Sequence, residues 1–335
     1  MDNSRDIQID NIKGLLIFLV VLGHILSLGF RESNFVSAII YSVIYSFHMP
    51  CFIFLSGYLV KDKLASNNYY KQNHMLLIYY LFGYLLVIVT KSLMSGTLVI
   101  LNPFIPPIAL WYLLTLFILR ILAPWLIKVK LIIPWCIILS IIVGLTSCIG
   151  SELSLSRTIC MMPYFATGLI LDKDIVDKIR NTSRIIKIII VSMGGVIEIL
   201  FMYLFMRIGK FNYNILWMQN GYAESNIDNL EGIVFRAGLC FVSLTICLAL
   251  FVSMTNKKCF LTKWGRNSLA VYLLHIVLYL ILRKYMCLSE EVYASNCSVI
   301  IPVIISVIIV SLLSTNSVNA VLNNIMQIFG RVTYR

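Results

Sequence analysis

Ten apolar runs, separated by short polar links, organise this chain. They fall at about 12–30, 36–60, 74–94, 109–127, 131–149, 157–171, 185–208, 232–254, 267–286 and 298–322. A helix that crosses the hydrocarbon core needs about 17–25 mainly apolar residues, and most of the runs meet that length. The run at 157–171 is short, which suits a tilted, re-entrant or interfacial helix. The longest polar link, roughly 209–231, lies between the seventh and eighth runs. The pattern predicts an all-α polytopic membrane protein of about ten transmembrane helices, folded as one domain over residues 1–335. No separate soluble domain, repeat or low-complexity tract breaks it. The first run is expected to remain in the protein. Its leader, Met1 to Lys13, carries Asp2, Asp6 and Asp10, and no small-residue cleavage site follows.

Composition agrees. Hydrophobic residues make up 60% of the chain and charged residues 13%, against about 25% charged in an average soluble domain. Too little polar surface remains to cover a water-facing exterior, so a soluble globular enzyme and a disordered chain are both excluded. The net charge of +12 would by itself raise nucleic-acid binding. Its distribution redirects that reading. With the N-terminus in the cytoplasm, the inner segments hold eighteen Lys and Arg and the outer segments eight, with Arg120 inside a run. The positive-inside rule then predicts N-in and C-in, at a cell membrane. Counting acids as well, the inner side is +11 and the outer side +1. The excess charge is an orientation signal, with membrane lipids as the surroundings and no nucleic-acid partner. Nine cysteines show no metal-ligand spacing, and no metal is expected. Cys51, Cys136, Cys148, Cys160, Cys240 and Cys247 lie in apolar runs, where Cys acts as a small hydrophobe. Cys287 and Cys297 flank a polar loop and can pair if it faces an oxidising compartment.

Ionisable residues inside spans are costly and mark candidate functional positions. Here they are His24, His48, Arg120, Glu198 and His275, with His74 at the inner end of the third run. Lys13 and His24 are eleven residues apart, about three helical turns and roughly 16 Å, so both project from one face. Asp10 and Lys13, three apart, can also meet. A cation at the inner end and a titratable base deep in the span suit proton-transfer chemistry. Helix packing by a hydrogen-bonded histidine explains His24 equally well. Phe47-His48-Met49-Pro50 predicts a kink near His48. Ser56 and Gly57, nearer the inner end, permit close approach of a ligand or a helix. Asn267 or Ser268 can cap the ninth span, which places His275 about 12 Å in. Arg120 and Glu198 have opposite charge and can pair, or Arg120 can equally snorkel toward the cytoplasmic side. The aromatic and amide residues of the 209–231 link, Phe211, Trp217, Gln219 and Tyr222 among them, suit either a sugar site or an interfacial aromatic belt.

Several motifs recur in a familiar order: Asp10-Asn11-Ile12-Lys13-Gly14, Leu22-Gly23-His24, Phe47-His48-Met49-Pro50, Phe52 to Tyr58, Leu110-Trp111-Tyr112-Leu113, Pro163 to Gly168, and Gly265 to His275. In this order and in a ten-span chain, they resemble the acyltransferase-3 family of membrane acyltransferases. The likeness is greatest to its fucose 4-O-acetylase-like branch of cell-surface polysaccharide O-acetyltransferases. The resemblance implies transfer of an acetyl group from cytoplasmic acetyl-CoA, as donor substrate and with no bound cofactor. The acceptor would be a hydroxyl of a cell-surface glycan or a lipid-linked sugar. It places His24 as general base or acetyl carrier, with His48 beside it as a catalytic candidate. Asp10, Lys13, Ser56, Gly57, Lys71 and His74 become donor-binding or orienting residues. Trp111, Trp217 and His275 become acceptor-side or structural candidates. His74 stands where the family often has a second arginine, and Tyr79 where a proline is expected. Homo-oligomerisation is left open.

Two rival classes fit parts of the pattern. A transporter or flippase of a lipid-linked sugar would explain many spans, a broken helix and membrane-depth histidines. Glu198 is then its only intramembrane acid, and no inverted repeat is evident. The same family acting with succinyl or another acyl group, or on another acceptor, is the second.

Overall fold

The computed structural model describes residues 6–147, 149–207, 212–286, 292–293 and 295–333. Cys148, Phe211 and Cys287, and with Cys287 the pairing to Cys297, lie outside the described residues. Among those described, the chain is helical and contains no strand. The helices longer than four residues are α1 (Ile7–Leu26), α2 (Phe35–Lys61), α3 (Tyr69–Ser95), α4 (Trp111–Leu126), α5 (Ile132–Ile142), α6 (Leu155–Ile170), α7 (Lys173–Arg180), α8 (Arg184–Arg207), α9 (Asn229–Ser253), α10 (Phe260–Arg266), α11 (Ser268–Tyr285), α12 (Ile300–Leu313) and α13 (Asn316–Thr333), among the described residues.

Each apolar run falls on a helix. Among the described residues seven helices are long and apolar enough to cross a membrane, and an eighth candidate is the bent pair α12–α13. The runs at 131–149 and 157–171 are helices of 11 and 16 residues. The first of these stops early for a reason the run does not carry. Tyr222 donates its backbone N–H to Gly144 O (2.7 Å) and its hydroxyl to Ile141 O (3.0 Å). Those bonds satisfy carbonyls that a longer helix would have used. The last run is not one straight span, because its two halves meet at 59°. The Asn267 amide donates to Ser314 O (2.6 Å) at that break. Its side chain therefore serves the broken helix rather than capping α11. Helix α2 continues through Pro50, which lies inside it.

Side chains such as Ile185, Val196 and Phe241 stand 72%, 64% and 65% exposed. In water such a surface would aggregate; against lipid it is solvated. Helix α8 is the extreme, burying only Gly194, Glu198 and Met202, spaced four apart along one stripe.

The chain divides into two compact units. The first is Met1–Ile44, Leu85–Val99 and Ser253–Arg335; the second is Tyr45–Tyr84 and Ile100–Val252. In the first, α1 packs against α10, α11 and α12. The closest approach is backbone to backbone. A Cβ on Gly14 would stand 2.1 Å from Leu261 O, and one on Gly265 1.7 Å from Asp10 O. Asn11 fastens the same crossing. Its amide donates to Thr255 O (2.8 Å) and Lys257 O (3.0 Å), and its oxygen accepts from the Thr262 hydroxyl (2.6 Å). In the second unit α6 packs against α4 and α5.

Candidate active site

The first unit brings two of the three span histidines together. His24 lies in the last turn of α1 and is half-buried; His275, on α11, is fully buried. Their ring centroids are 5.3 Å apart, and the Tyr279 ring is 5.2 Å from His24. Tyr272, His275 and Tyr279 form one face of α11, at spacings of three and four. The Ser27 hydroxyl donates to His24 O (2.7 Å) and reaches the Tyr279 hydroxyl at 3.5 Å.

Hydrogen bonding fixes the state of His275. Its Nδ1 lies 3.0 Å from Val271 O. A carbonyl can only accept, so Nδ1 carries the proton and Nε2 keeps the lone pair in the neutral ring. Nε2 is buried and meets no hydrogen-bond partner among the described residues. It can accept a hydrogen bond from an N–H or O–H that comes to the site. Two imidazoles and a phenol thus meet between α1 and α11, one imidazole half-buried and the other sealed beside it, and such groups are able to take and return a proton.

At the other end of α1, Asp10 is buried and receives Arg266 Nε at 3.4 Å. Lys13 is half-buried, like His24, while Ile12, Gly14, Gly23 and Ile25 beside them are buried. The three-turn spacing thus leaves the two residues on one accessible strip.

The remaining candidates belong to the second unit. His48 is buried, its ring edge-on to Tyr45 at 5.0 Å. The Ser56 hydroxyl lies 3.3 Å from that of Tyr112. Gly57 is taken by helix packing and has no room for a ligand. Its Cβ would stand 2.2 Å from Phe165 O, and that of Gly168 2.1 Å from Phe54 O. Gly57→Ala is therefore expected to destabilise the protein by about 1–3 kcal/mol through overpacking. Thermal unfolding in detergent would show it, with the donor KM of the folded fraction unchanged.

Lys71 and His74 are exposed on the first turns of α3, whereas Asn73 between them is 2% exposed. Arg120 and Glu198 do not pair. Glu198 is buried and accepts a hydrogen bond from the Ser46 hydroxyl. Lys61 is bound to Asp172 (2.5 Å) and Lys173 to Asp62 (2.7 Å) around a cavity of about 280 Å³. With Asp174 also in its wall, three carboxylates there face two ammonium groups, a poor seat for a polyanion.

Trp111 and Trp217 are joined by a residue the sequence reading passed over. Arg157 is nearly buried, with its guanidinium 5.0 Å from the Trp111 ring centroid. Its Nε donates to Trp217 O (3.0 Å) and Nη2 to Gln219 Oε1 (2.8 Å). Arg157 thereby ties the polar link to α4 and α6. Tyr279 was also passed over, although its place four residues beyond His275 on a helix was a usable signal.

Fold and site define a polytopic helical membrane protein with histidines facing one another inside a helix pair. The family model described as an acyltransferase domain, acyltransferase-3, matches residues 6–315, and the chain belongs to that family. It is similar to Nodulation protein NolL of Sinorhizobium fredii, 44% identical over 69 residues, and to Nodulation protein NolL of Mesorhizobium japonicum, 36% identical over 69 residues. These matches cover 20% of this chain and 19% and 18% of the relatives, so the chain matches about a fifth of their length. No solved structure matches it.

Proposed function

We propose that this protein is a membrane O-acetyltransferase that moves an acetyl group from cytoplasmic acetyl-CoA to a hydroxyl of a cell-surface polysaccharide or its lipid-linked precursor. The membrane in question is the cytoplasmic one. The observation that carries the reading is the His24–His275–Tyr279 cluster at membrane depth in a chain of this family. In the reaction, neutral His24 takes the proton of the attacking hydroxyl. The oxygen bonds to the thioester carbonyl carbon, and the carbon–sulfur bond breaks. The imidazolium returns its proton to the departing thiolate. An ester and a free thiol result, with no net proton change. His275 Nε2 can accept the second N–H of the transient imidazolium, and Lys13 orients the donor or the site.

The test compares the surface glycan of a gene-deleted strain with that of its parent, by NMR for O-acetyl esters. An acetyltransferase mutant keeps the polymer and loses the esters. Loss of the polymer itself would instead indicate a carrier, and succinyl esters lost in place of acetyl would change the acyl group.

For the acceptor, Arg157→Gln removes the charged tether between Trp111 and the polar link. The expected result is a rise in acceptor KM of about 10-fold, in line with one charge-assisted hydrogen bond at about 1.5–3 kcal/mol. Donor KM stays at the wild-type value. Steady-state assays that vary each substrate in turn would read this, and an equal rise in both constants would remove Trp111 and Trp217 from the acceptor side.

A further inference from the structure

The family match ends at residue 315, and α13 begins at Asn316. The last helix therefore lies beyond the part of the chain that the family explains. Taken together α12 and α13 are long and apolar enough to cross a membrane, yet they meet at 59°. Laid straight, the two would reach about 50 Å, against about 30 Å of hydrocarbon. Helix α12 alone, with 14 residues, covers about 21 Å of that thickness. The corner between them is built rather than loose. Asn267 Nδ2 donates to Ser314 O (2.6 Å) at the end of α12 and reaches Asn316 Oδ1 (3.4 Å) at the start of α13. One buried side chain holds both arms.

The residues of α13 fall into three stripes at helical spacing. Leu322 and Met326, 4% and 2% exposed, form the side turned to the protein, where α13 packs against α11. Val318, Val321, Ile325 and Ile328 form a second apolar stripe, half-buried to exposed, with Val321 at 59% and Ile328 at 64%. Asn316, Asn319, Asn323 and Gln327 form the third, and Asn316, Asn323 and Gln327 are exposed. A row of amides is costly in hydrocarbon, and an apolar row is costly in water. Both rows are satisfied at once only where the two solvents meet.

We propose that α13 lies flat in the interfacial layer of the bilayer, with its Val318–Ile328 stripe inserted among the lipids and its amides in water. Two observations select lipid as the occupant of that stripe. First, it continues a lipid-facing surface: Ile300, Ile304, Ile308 and Leu312 of α12, spaced four apart and 51–61% exposed, run up to the corner. Second, Asn316 to Phe329 include no charged residue. The helix thus holds to the membrane by apolar insertion and does not depend on anionic lipid. Asn267 stands at the start of α11, so the same corner fixes where that helix meets the surface, with His275 up to about 12 Å deeper. None of this rests on the acyl-transfer reading.

The experiment uses the full-length protein in phosphatidylcholine nanodiscs. A fluorescent amino acid is introduced by nonsense suppression at one position at a time: Val321, Ile328, Asn323 or Gln327. Lipids bearing a nitroxide at the headgroup, high on the acyl chain or near its end report depth by quenching, and iodide reports contact with water. The expected result is that labels at Val321 and Ile328 are quenched most by the nitroxide high on the chain, at one common depth. Labels at Asn323 and Gln327 are quenched by iodide. Phosphatidylglycerol in place of part of the phosphatidylcholine leaves the pattern unchanged. A membrane-crossing α13 would instead separate Val321 and Ile328 by about 10 Å in depth and shield the amide positions from iodide, which overturns the proposal. So does protection of Val321 and Ile328 from both quenchers, the sign of a second copy or another protein over the stripe. Iodide quenching at all four positions, with no quenching by lipid, places the helix in water and overturns it as well. Lipid quenching seen only with phosphatidylglycerol present would overturn the apolar mode of attachment. Asn323 and Gln327 are exposed, so their labels decide between crossing and lying flat if labels on the apolar stripe do not fold.

Discussion

His24→Ala is expected to lower acyl transfer by about 10²–10⁴-fold, the usual contribution of a positioned general base. The reason is local. His24 is the accessible imidazole of the cluster, with His275 sealed beside it and Tyr279 across its face. Truncation removes the proton acceptor and leaves the buried side of α1 intact. Ile12, Leu16, Val20 and Ile25, which pack the helix, are untouched. Protein abundance and thermal unfolding should therefore stay near wild type while the acetyl content of the glycan collapses. Wild-type acetylation by a normally abundant His24→Ala protein would refute the assignment. A carrier histidine, acetylated in transit, predicts the same loss but adds a trappable acetyl-imidazole that a general base does not form. Rapid quench with radiolabelled acetyl-CoA separates the two.

Gly265→Ala is expected to damage the fold more than any other single methyl considered in this chain. The added carbon would lie 1.7 Å from Asp10 O and 2.9 Å from Gly14 N, both backbone atoms. No side-chain rotation relieves such a clash; α1 and α10 must separate. Separation would strain the Asn11 bonds to Thr255, Lys257 and Thr262 and the Asp10–Arg266 contact. Overpacking alone costs about 1–3 kcal/mol, occasionally more, and the hydrogen bonds at stake add to it. A sharp fall in folded yield and in the unfolding temperature is the expected result. Gly195→Ala is the matched control, because a Cβ there meets nothing within 4 Å. Replacing a helical glycine by alanine at such a place is neutral to stabilising, by up to about 1 kcal/mol. Equal behaviour of the two variants would show that the α1–α10 crossing is looser than its geometry.

These expectations draw unevenly on the sequence. The Lys13–His24 spacing was legible because a helix repeats every 3.6 residues, and the accessible strip on α1 follows it. Asp10, Gly14 and Gly265 were visible as parts of motifs, yet their pattern does not say that they meet. The meeting of Gly14 with Leu261 and of Gly265 with Asp10 joins positions about three quarters of the chain apart. Gly57 shows the same limit in reverse. A small residue near a candidate site permits a ligand or a helix, and only the packing of α6 decided for the helix. Asn73 and Arg157 carried no periodic or motif signal, since an amide or guanidinium acquires meaning from its partners.

What the sequence determined by itself is the solvent and the helices. Apolar runs of spanning length allow no soluble fold, because hydrocarbon accepts a backbone only when its own hydrogen bonds are closed. The order of motifs also placed the chain in its family. The tertiary structure decided which helix faces which. It set His24 against His275 and ended α5 at Tyr222. It bent the last span at the carbonyl held by Asn267, and gave Glu198 to the Ser46 hydroxyl rather than to Arg120. Each of these depends on contacts between residues distant in the chain. Hydropathy and helical periodicity describe each helix alone and carry no information about which face of its neighbour it meets.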